Sequence, residues 1–214
     1  MNRFDRPRQS LAIAIAFLAG FVDALGFMSG DRYFVSFMSG NTTRLAVDLA
    51  TAPRTALVPA LLILGFIVGV AGGAAVVARA GPWRKPALMA VVAALLAVGG
   101  AFHMAERTDA ALGALVLAMG AVNNMFQRDG EVAVGLTYMT GALVKLGQAI
   151  GGVLSGRRYT GWGAYLLLWG GLFVGGTTGA LLFTHFSAGV FWLAVLLAAA
   201  LTVWAWRVAA RDAG

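Results

Sequence analysis

The chain contains no cysteine, and charged residues are scarce in it. The first absence excludes disulfides and thiol chemistry. Only 12% of its 214 residues are charged, about half the roughly 25% found in soluble domains. In contrast, 60% are hydrophobic, and the mean hydropathy is +0.81. A soluble chain of this length could not bury so much apolar surface, so the sequence predicts a protein whose solvent is lipid.

The sequence also lacks the motifs of enzymes and nucleotide-driven pumps. It has no Ser/His pair, no HExxH-type motif, no paired catalytic acids and no phosphate-binding loop. Its two histidines, His103 and His185, lie far apart and without metal-ligand spacing. We therefore predict no enzymatic activity, no cofactor and no metal. The net charge of +7 is not a sign of nucleic-acid binding, because the basic residues form no patch. They lie at the ends of apolar runs, as they do beside membrane helices, so we predict no nucleic-acid partner.

Eight apolar segments follow one another without a linker long enough to separate soluble domains. They lie near 10–29, 33–51, 57–78, 86–105, 110–126, 132–154, 162–184 and 188–206. We interpret the start of the chain as a retained first helix, because Asp23 interrupts the run and no clean cleavage site follows. The second and sixth segments carry polar residues where a spanning helix needs about 20 apolar ones.

The two halves of the chain resemble each other. "LAGFVDALGF" at 18–27 matches "AMGAVNNMFQ" at 118–127, and "GFIVGVAGGA" at 65–74 matches "GLFVGGTTGA" at 171–180. The matches occur in the same order with slowly drifting offset. We therefore predict one membrane domain, 1–214, made of two repeats at about 8–106 and 108–210.

The basic residues favour six spans over eight. If the second and sixth segments enter and leave by one face, most of the 16 Lys and Arg residues lie on one side. Only Arg32, Arg54 and Arg107 then lie on the other side, as the positive-inside rule prefers. This model predicts an all-α membrane protein with about six transmembrane helices and two re-entrant or broken helices. The three-span repeats would have opposite orientations, as inverted repeats do. Both chain termini and Lys85 would lie on the cytoplasmic side, and Glu106 would lie outside.

The stretches "SFMSGNTTRLAVDLA" at 36–50 and "TYMTGALVKLGQA" at 137–149 are the polar inserts. We predict helix breaks at Gly40 and Gly141, with Asn41 or Ser39 capping a half-helix. The free N–H groups and the following cation would favour an anion or the negative end of a polar solute. The predicted solute site comprises Asp23, Ser39, Gly40, Asn41, Thr42, Arg44, Asn123, Thr140, Gly141 and Lys145.

Structural alternatives exist for these residues. Arg44 and Asp48 are spaced to pair on one helix. Asp23 needs a partner, for which Arg44 and Lys145 are available, and it serves either as a counter-ion or as a carrier of a proton or coupling ion. The predicted packing glycines are Gly65, Gly69, Gly73, Gly171, Gly175 and Gly179; they would join either the two repeats or two subunits of a homo-oligomer.

Two motifs resemble a known family. "GFVDALGFMSG" and "FVSFMSGNTTRLA" are similar to the signature of the YoaK-like family of bacterial membrane proteins, although Ser39 stands where that pattern has threonine. The resemblance covers nearly the whole chain and implies a small inner-membrane protein with about six spans, but no substrate. From the residues we expect a transporter or channel for a small polar or anionic solute. The alternative is a non-transporting assembly or sensor protein whose intramembrane charges are structural.

Overall fold

The computed structural model describes residues 6–30, 32–128, 131–132, 137, 139–156, 161–187 and 189–213. The helices are α1 (Arg6–Ser29), α2 (Met38–Thr51), α3 (Leu57–Arg79), α4 (Arg84–Met104), α5 (Thr108–Val122), α6 (Met139–Leu154), α7 (Trp162–Phe186) and α8 (Gly189–Ala213). Gly81–Trp83 and Asn123–Phe126 form 3-10 turns. A two-residue antiparallel bridge pairs β1 (Gln127–Arg128) with β2 (Glu131–Val132). The predicted all-α class is confirmed.

Six of the helices are long and apolar enough to cross a membrane. With the 3-10 turns that adjoin α4 and α5, they run for 19 to 25 residues, which matches the thickness of a bilayer core. The remaining two, α2 with 14 residues and α6 with 16, are too short to span. The prediction of six spans is confirmed, and the two segments predicted to be re-entrant or broken form these two shorter helices.

The spans pack mainly between the two halves of the chain. The most extensive contact joins α1 to α7, and α3 packs in the same way on α5. In the middle, α4 packs on α8 and also on α5, while α8 also contacts α1. The short helices are peripheral, with α2 on α3 and α6 on α7.

Exchanging α1–α4 with α5–α8 reproduces this set of contacts. The α1–α7 pair becomes α5–α3, the α2–α3 pair becomes α6–α7, and the α4–α8 pair is unchanged. Burial follows the same exchange, since 17% of the most apolar stretch is buried in both α3 and α7, and 33% in both α4 and α8. The first span of each half, α1 or α5, is its most buried and therefore forms the centre of the bundle.

Glycines permit the close contact of the outer spans with the central ones. A Cβ atom at Gly175 would collide with the backbone of Phe17 in α1, and one at Gly69 with the backbone of Leu117 in α5. A helix backbone can lie this close only where no side chain intervenes. The two glycine stripes therefore lie at the contacts between the halves of one chain.

Candidate functional site

Asp23 holds an irregular stretch of backbone inside the bundle. Its Oδ1 accepts hydrogen bonds from the backbone N–H groups of Val35 and Ser36, both at 2.8 Å. Val35 is fully buried and Ser36 is nearly so. Buried non-helical backbone needs such partners because it has no helix or strand to satisfy it. In the described part of the chain, Asp23 pairs with no cation. The expected pairing with Arg44 or Lys145 is not formed, because two amide donors satisfy the carboxylate.

Asn41 fixes the same stretch from the side of α2. Its side-chain oxygen accepts the Phe34 N–H at 3.1 Å, and its Nδ2 donates to the Phe34 carbonyl at 2.7 Å. The amide thus binds Phe34 as a neighbouring strand would. Asn41 has no exposed surface. This buried polar contact sets the position of α2 against the end of α1.

The break points lie earlier in the chain than predicted. Helix α2 begins at Met38 and α6 at Met139, so Gly40 and Gly141 are in the first helical turns. Phe37 occupies the N-cap position of α2, with no side-chain capping bond. The prediction of a cap at Asn41 or Ser39 is therefore wrong, since Asn41 binds Phe34. Gly40 provides space instead, because a Cβ atom there would meet the Phe37 ring at 2.6 Å.

Arg44 is held by an aromatic ring and a carbonyl. Its guanidinium carbon lies 4.2 Å from the centre of the Tyr33 ring, and Nη1 donates to the Arg32 carbonyl at 3.1 Å. In the described ranges it forms no ion pair with Asp48, although the spacing allowed one. Asp48 Oδ2 is buried and has no hydrogen-bond partner among the described residues. Arg44 therefore neutralises no carboxylate among the residues that the structure describes.

The second half contains a related tether. Asn123, the counterpart of Asp23, accepts a hydrogen bond on Oδ1 from the Thr137 hydroxyl at 3.1 Å and donates to the Met119 carbonyl at 2.8 Å. Beside it, Asn124 donates to the Val70 carbonyl in α3 at 2.9 Å. In both halves, a polar side chain near the end of the central span thus binds the segment that precedes a short helix.

The other predicted site residues lie on outer faces of the short helices. Ser39 and Thr42 of α2 are exposed, and Thr42 donates its hydroxyl to the Met38 carbonyl of its own helix at 2.8 Å. Thr140 and Lys145 of α6 are exposed as well. Within the parts of α6 and its surroundings that the structure describes, Lys145 has no bonding partner.

The predicted site is thus divided. The structure gathers Asp23, Asn41 and Arg44 around residues 32–37, and it places Asn123 beside Thr137 in the other half. No described hydrogen bond or cavity brings the two groups together, and Lys145 belongs to neither. The six glycines lie against backbone or side chains of the opposite half: Gly65, Gly69 and Gly73 face Val116, Leu117 and Ala121, and Gly171, Gly175 and Gly179 face Ile13, Phe17 and Phe21.

A polar cavity of about 280 Å³ adjoins the first group. It lies where the end of α1 meets the starts of α3 and α5. Its walls include Ser29, Tyr33, Val58, Thr108, Asp109 and Leu112. Sequence reasoning missed Tyr33, Thr108 and Asp109. The available signals were Tyr33 directly before the second family motif, which begins at Phe34, and Asp109 at the start of an apolar run, where helix N-termini favour acids.

Two further cavities are apolar. One of about 300 Å³ lies between α6 and α7 and is lined by Leu146, Ile150 and Trp162 among others. The second, about 700 Å³ and wide open, lies between α1 and α7. Both are built from residues on outer surfaces of the bundle, where a membrane protein contacts acyl chains.

Six spans and two short helices define an all-α, multi-pass membrane protein. The family described as "Protein of unknown function (DUF1275)" matches residues 11–204, and the chain belongs to this family. It is 39% identical over 204 residues to a UPF0700 transmembrane protein of Rhizobium meliloti (strain 1021), covering 94% of this chain and 88% of that relative. No solved structure matches the chain. The resemblance to an uncharacterised family of bacterial membrane proteins is confirmed.

Proposed function

We propose that the protein is a transporter or channel for a small polar solute, built from two inverted repeats. The repeats would be α1–α4 and α5–α8. An odd number of spans in each repeat gives the two copies opposite orientations, as in many transporters. The proposal is supported by the exchange of helix contacts between the halves and by the glycine stripes at equivalent positions.

The observation that carries the proposal is the pair of polar tethers. Asp23 binds the backbone before α2, and Asn123 binds Thr137 before α6. Non-helical backbone at membrane depth is tolerated only where protein buries it or where it lines a watery cavity. The stretch 32–37 is such a segment, and Thr137 is bound at the equivalent place in the second half. Both are attached to a central span, where a pathway between the repeats would pass.

The orientation belongs to the proposal. Both termini and Lys85 would lie in the cytoplasm, and Glu106 outside the bacterial inner membrane, because this arrangement places most basic residues inside. Short helix α2 would then lie near the outer face and α6 near the inner face. A solute would meet the tether of Asp23 from one side and the tether of Asn123 from the other.

The positions of the charged side chains bear on whether the solute is an anion. Arg44 is occupied by Tyr33 and the Arg32 carbonyl, and Lys145 is exposed on the outer face of α6. The two cations therefore form no common anion site, whereas the polar cavity carries the Asp109 carboxylate. Of the small polar or anionic solutes that the sequence predicted, a polar solute with hydrogen-bond donors is favoured over an anion.

A second function is compatible with the same contacts. Asp23, Asn41 and Arg44 all have partners within the protein, so these polar groups are also compatible with a non-transporting assembly or sensor protein. Such a protein would need rigid tethers and no pathway.

Flux separates the two functions. Purified protein is placed in liposomes, and osmotic swelling is followed with small amines, neutral polyols and carboxylates. We expect wild type to accelerate the entry of at least one class, and Asp23→Ala to alter that rate, since its tether is lost. Thr177→Val is the matched control, because the exposed Thr177 hydroxyl bonds only the Phe173 carbonyl of its own helix. A well-folded wild type that matches empty liposomes for every solute would refute transport and leave the second function.

A further inference from the structure

We propose that the polar cavity at the ends of α1, α3 and α5 binds a small primary amine in its ammonium form. The proposal rests on the proposed function in one respect, namely that the bound amine is the transported solute. The binding itself follows from the lining residues.

Tyr33 is the first indication that the cavity is a site. The residue is only 4% exposed and lines the cavity, yet in the described parts of the chain its hydroxyl makes no hydrogen bond. That hydroxyl is not one of the fully buried atoms that lack a partner, so it is open to the cavity and can take a hydrogen-bond partner there. A molecule in the cavity would supply one.

Asp109 sets the charge that the cavity prefers. It stands in the first turn of α5, where the helix dipole favours a negative group. Among the residues that the structure describes, its carboxylate forms no ion pair or hydrogen bond, so it is available to a ligand. Among the described residues of the wall none is a cation, and a carboxylate without a counter-ion selects a positive ligand.

The remaining polar groups are suited to N–H donors. Ser29 donates its hydroxyl proton to the Gly26 carbonyl at 3.3 Å, which leaves the Ser29 oxygen free to accept. Thr108 adds a second hydroxyl. An ammonium group carries three donors, enough for the Asp109 carboxylate and both hydroxyl oxygens.

Arg44 does not reverse this preference. Its guanidinium lies over the Tyr33 ring at 4.2 Å and donates to the Arg32 carbonyl, and it is not part of the cavity wall. Because Arg44 contacts the face of the ring, the Tyr33 hydroxyl stays available to donate a hydrogen bond. The hydroxyl end of an amino alcohol would accept that bond.

The size and place of the cavity limit the ligand. Its volume of about 280 Å³ equals that of roughly nine waters in the liquid, so a few heavy atoms fit beside residual water. Val58 and Leu112 provide apolar wall for a short carbon chain. Ethanolamine has the required ammonium group, short chain and hydroxyl, and it is the probe for the test.

Binding is measured on the detergent-solubilised full chain by saturation-transfer NMR and by the shift in melting temperature during an ethanolamine titration. We expect saturable binding to wild type, weakened at least about tenfold in Asp109→Asn because a charge-assisted contact is lost. Tyr33→Phe is expected to weaken binding several-fold. Glu106→Gln is the matched control, since it removes an exposed carboxylate outside the cavity and should bind as wild type does.

Several outcomes would overturn the proposal. These are no ethanolamine binding to well-folded wild type, equal binding by Asp109→Asn and wild type, or acetate binding in place of ethanolamine. Failure of the two proposals is distinguishable. Ethanolamine binding without flux of any solute supports the site and refutes transport, whereas flux without ethanolamine binding refutes the site and leaves transport intact.

Discussion

Replacement of Asp23 by alanine should destabilise the protein more than any other single polar change near the bundle centre. The two N–H groups of Val35 and Ser36, each bound at 2.8 Å, would lose their acceptor. A stranded buried donor costs about 1–3 kcal/mol, so the pair costs about 2–6 kcal/mol. For a chain of this size, each kcal/mol corresponds to roughly 2–4 °C, which predicts a fall in melting temperature of roughly 4–24 °C.

The asparagine variant distinguishes the kind of bond that is lost. Asp23→Asn keeps an oxygen acceptor but loses the charge, which about halves the strength of each bond. Its melting temperature should fall by about half as much as that of the alanine variant. Adding Lys145→Met or Arg44→Met should restore nothing, because neither cation is the partner of Asp23 in the part of the chain described.

Asp48→Asn is the matched control, since it makes the same chemical change at a carboxylate whose buried Oδ2 has no partner among the described residues. Its melting temperature should be unchanged or higher, because burial of unpaired charge is costly. Thermal unfolding in detergent, followed by tryptophan fluorescence and checked by gel filtration, measures all variants. Equal losses at positions 23 and 48, or recovery of Asp23→Asn by either methionine, would refute the backbone-tether explanation.

The remaining predictions concern packing, cation contacts and topology. Gly69→Ala and Gly175→Ala should reduce the yield of folded protein sharply, because the added Cβ meets the backbone of the facing helix. Gly72→Ala, which has no neighbouring atom within 4 Å, should purify like wild type. Equal yields for the three variants would contradict the packing. Arg44→Met should lower the melting temperature by roughly 2–8 °C, because about 1–2 kcal/mol of cation–π and carbonyl contacts is lost. Lys145→Met should leave the melting temperature unchanged. A larger fall for Lys145→Met than for Arg44→Met would contradict the placement of both side chains. In this cysteine-free chain, an impermeant thiol reagent on intact cells should label Glu106→Cys and spare Lys85→Cys, and labelling at position 85 from outside would exclude the proposed orientation.

The spans could be predicted because their physical cause is local. A run of about 20 apolar residues must cross or leave the bilayer, so six long helices follow from composition and from flanking residues such as Arg79 and Arg84. The short helices follow too, since Asn41, Arg44 and Asp48 are incompatible with a lipid-exposed span. Glycine spacing likewise identified faces for close packing, but it did not identify the partner helix, which depends on contacts far apart in sequence.

The partners of the polar residues could not be predicted. Charge counting proposed cations for Asp23, and the carboxylate instead binds two backbone amides. Sequence does not mark these amides, because every residue but proline has one. The same reason explains Asn41, whose partner is the backbone of Phe34. Arg44 prefers the Tyr33 ring to Asp48 because the segment before α2 folds back beside it.

The packing of α1 on α7 has a consequence for how the chain matures. Membrane helices leave the ribosome in order, so α1 enters the bilayer long before its principal partner has been synthesised. Until then its glycine-accommodating face, including the backbone of Phe17, is covered only by lipid. The α3–α5 pair can form earlier, since its members are closer in sequence. The central span of each half packs mainly on helices of the other half. The bundle therefore assembles fully only after α7 and α8 have been inserted into the membrane. Chains that stop before α7 would present an uncovered α1 to membrane proteases.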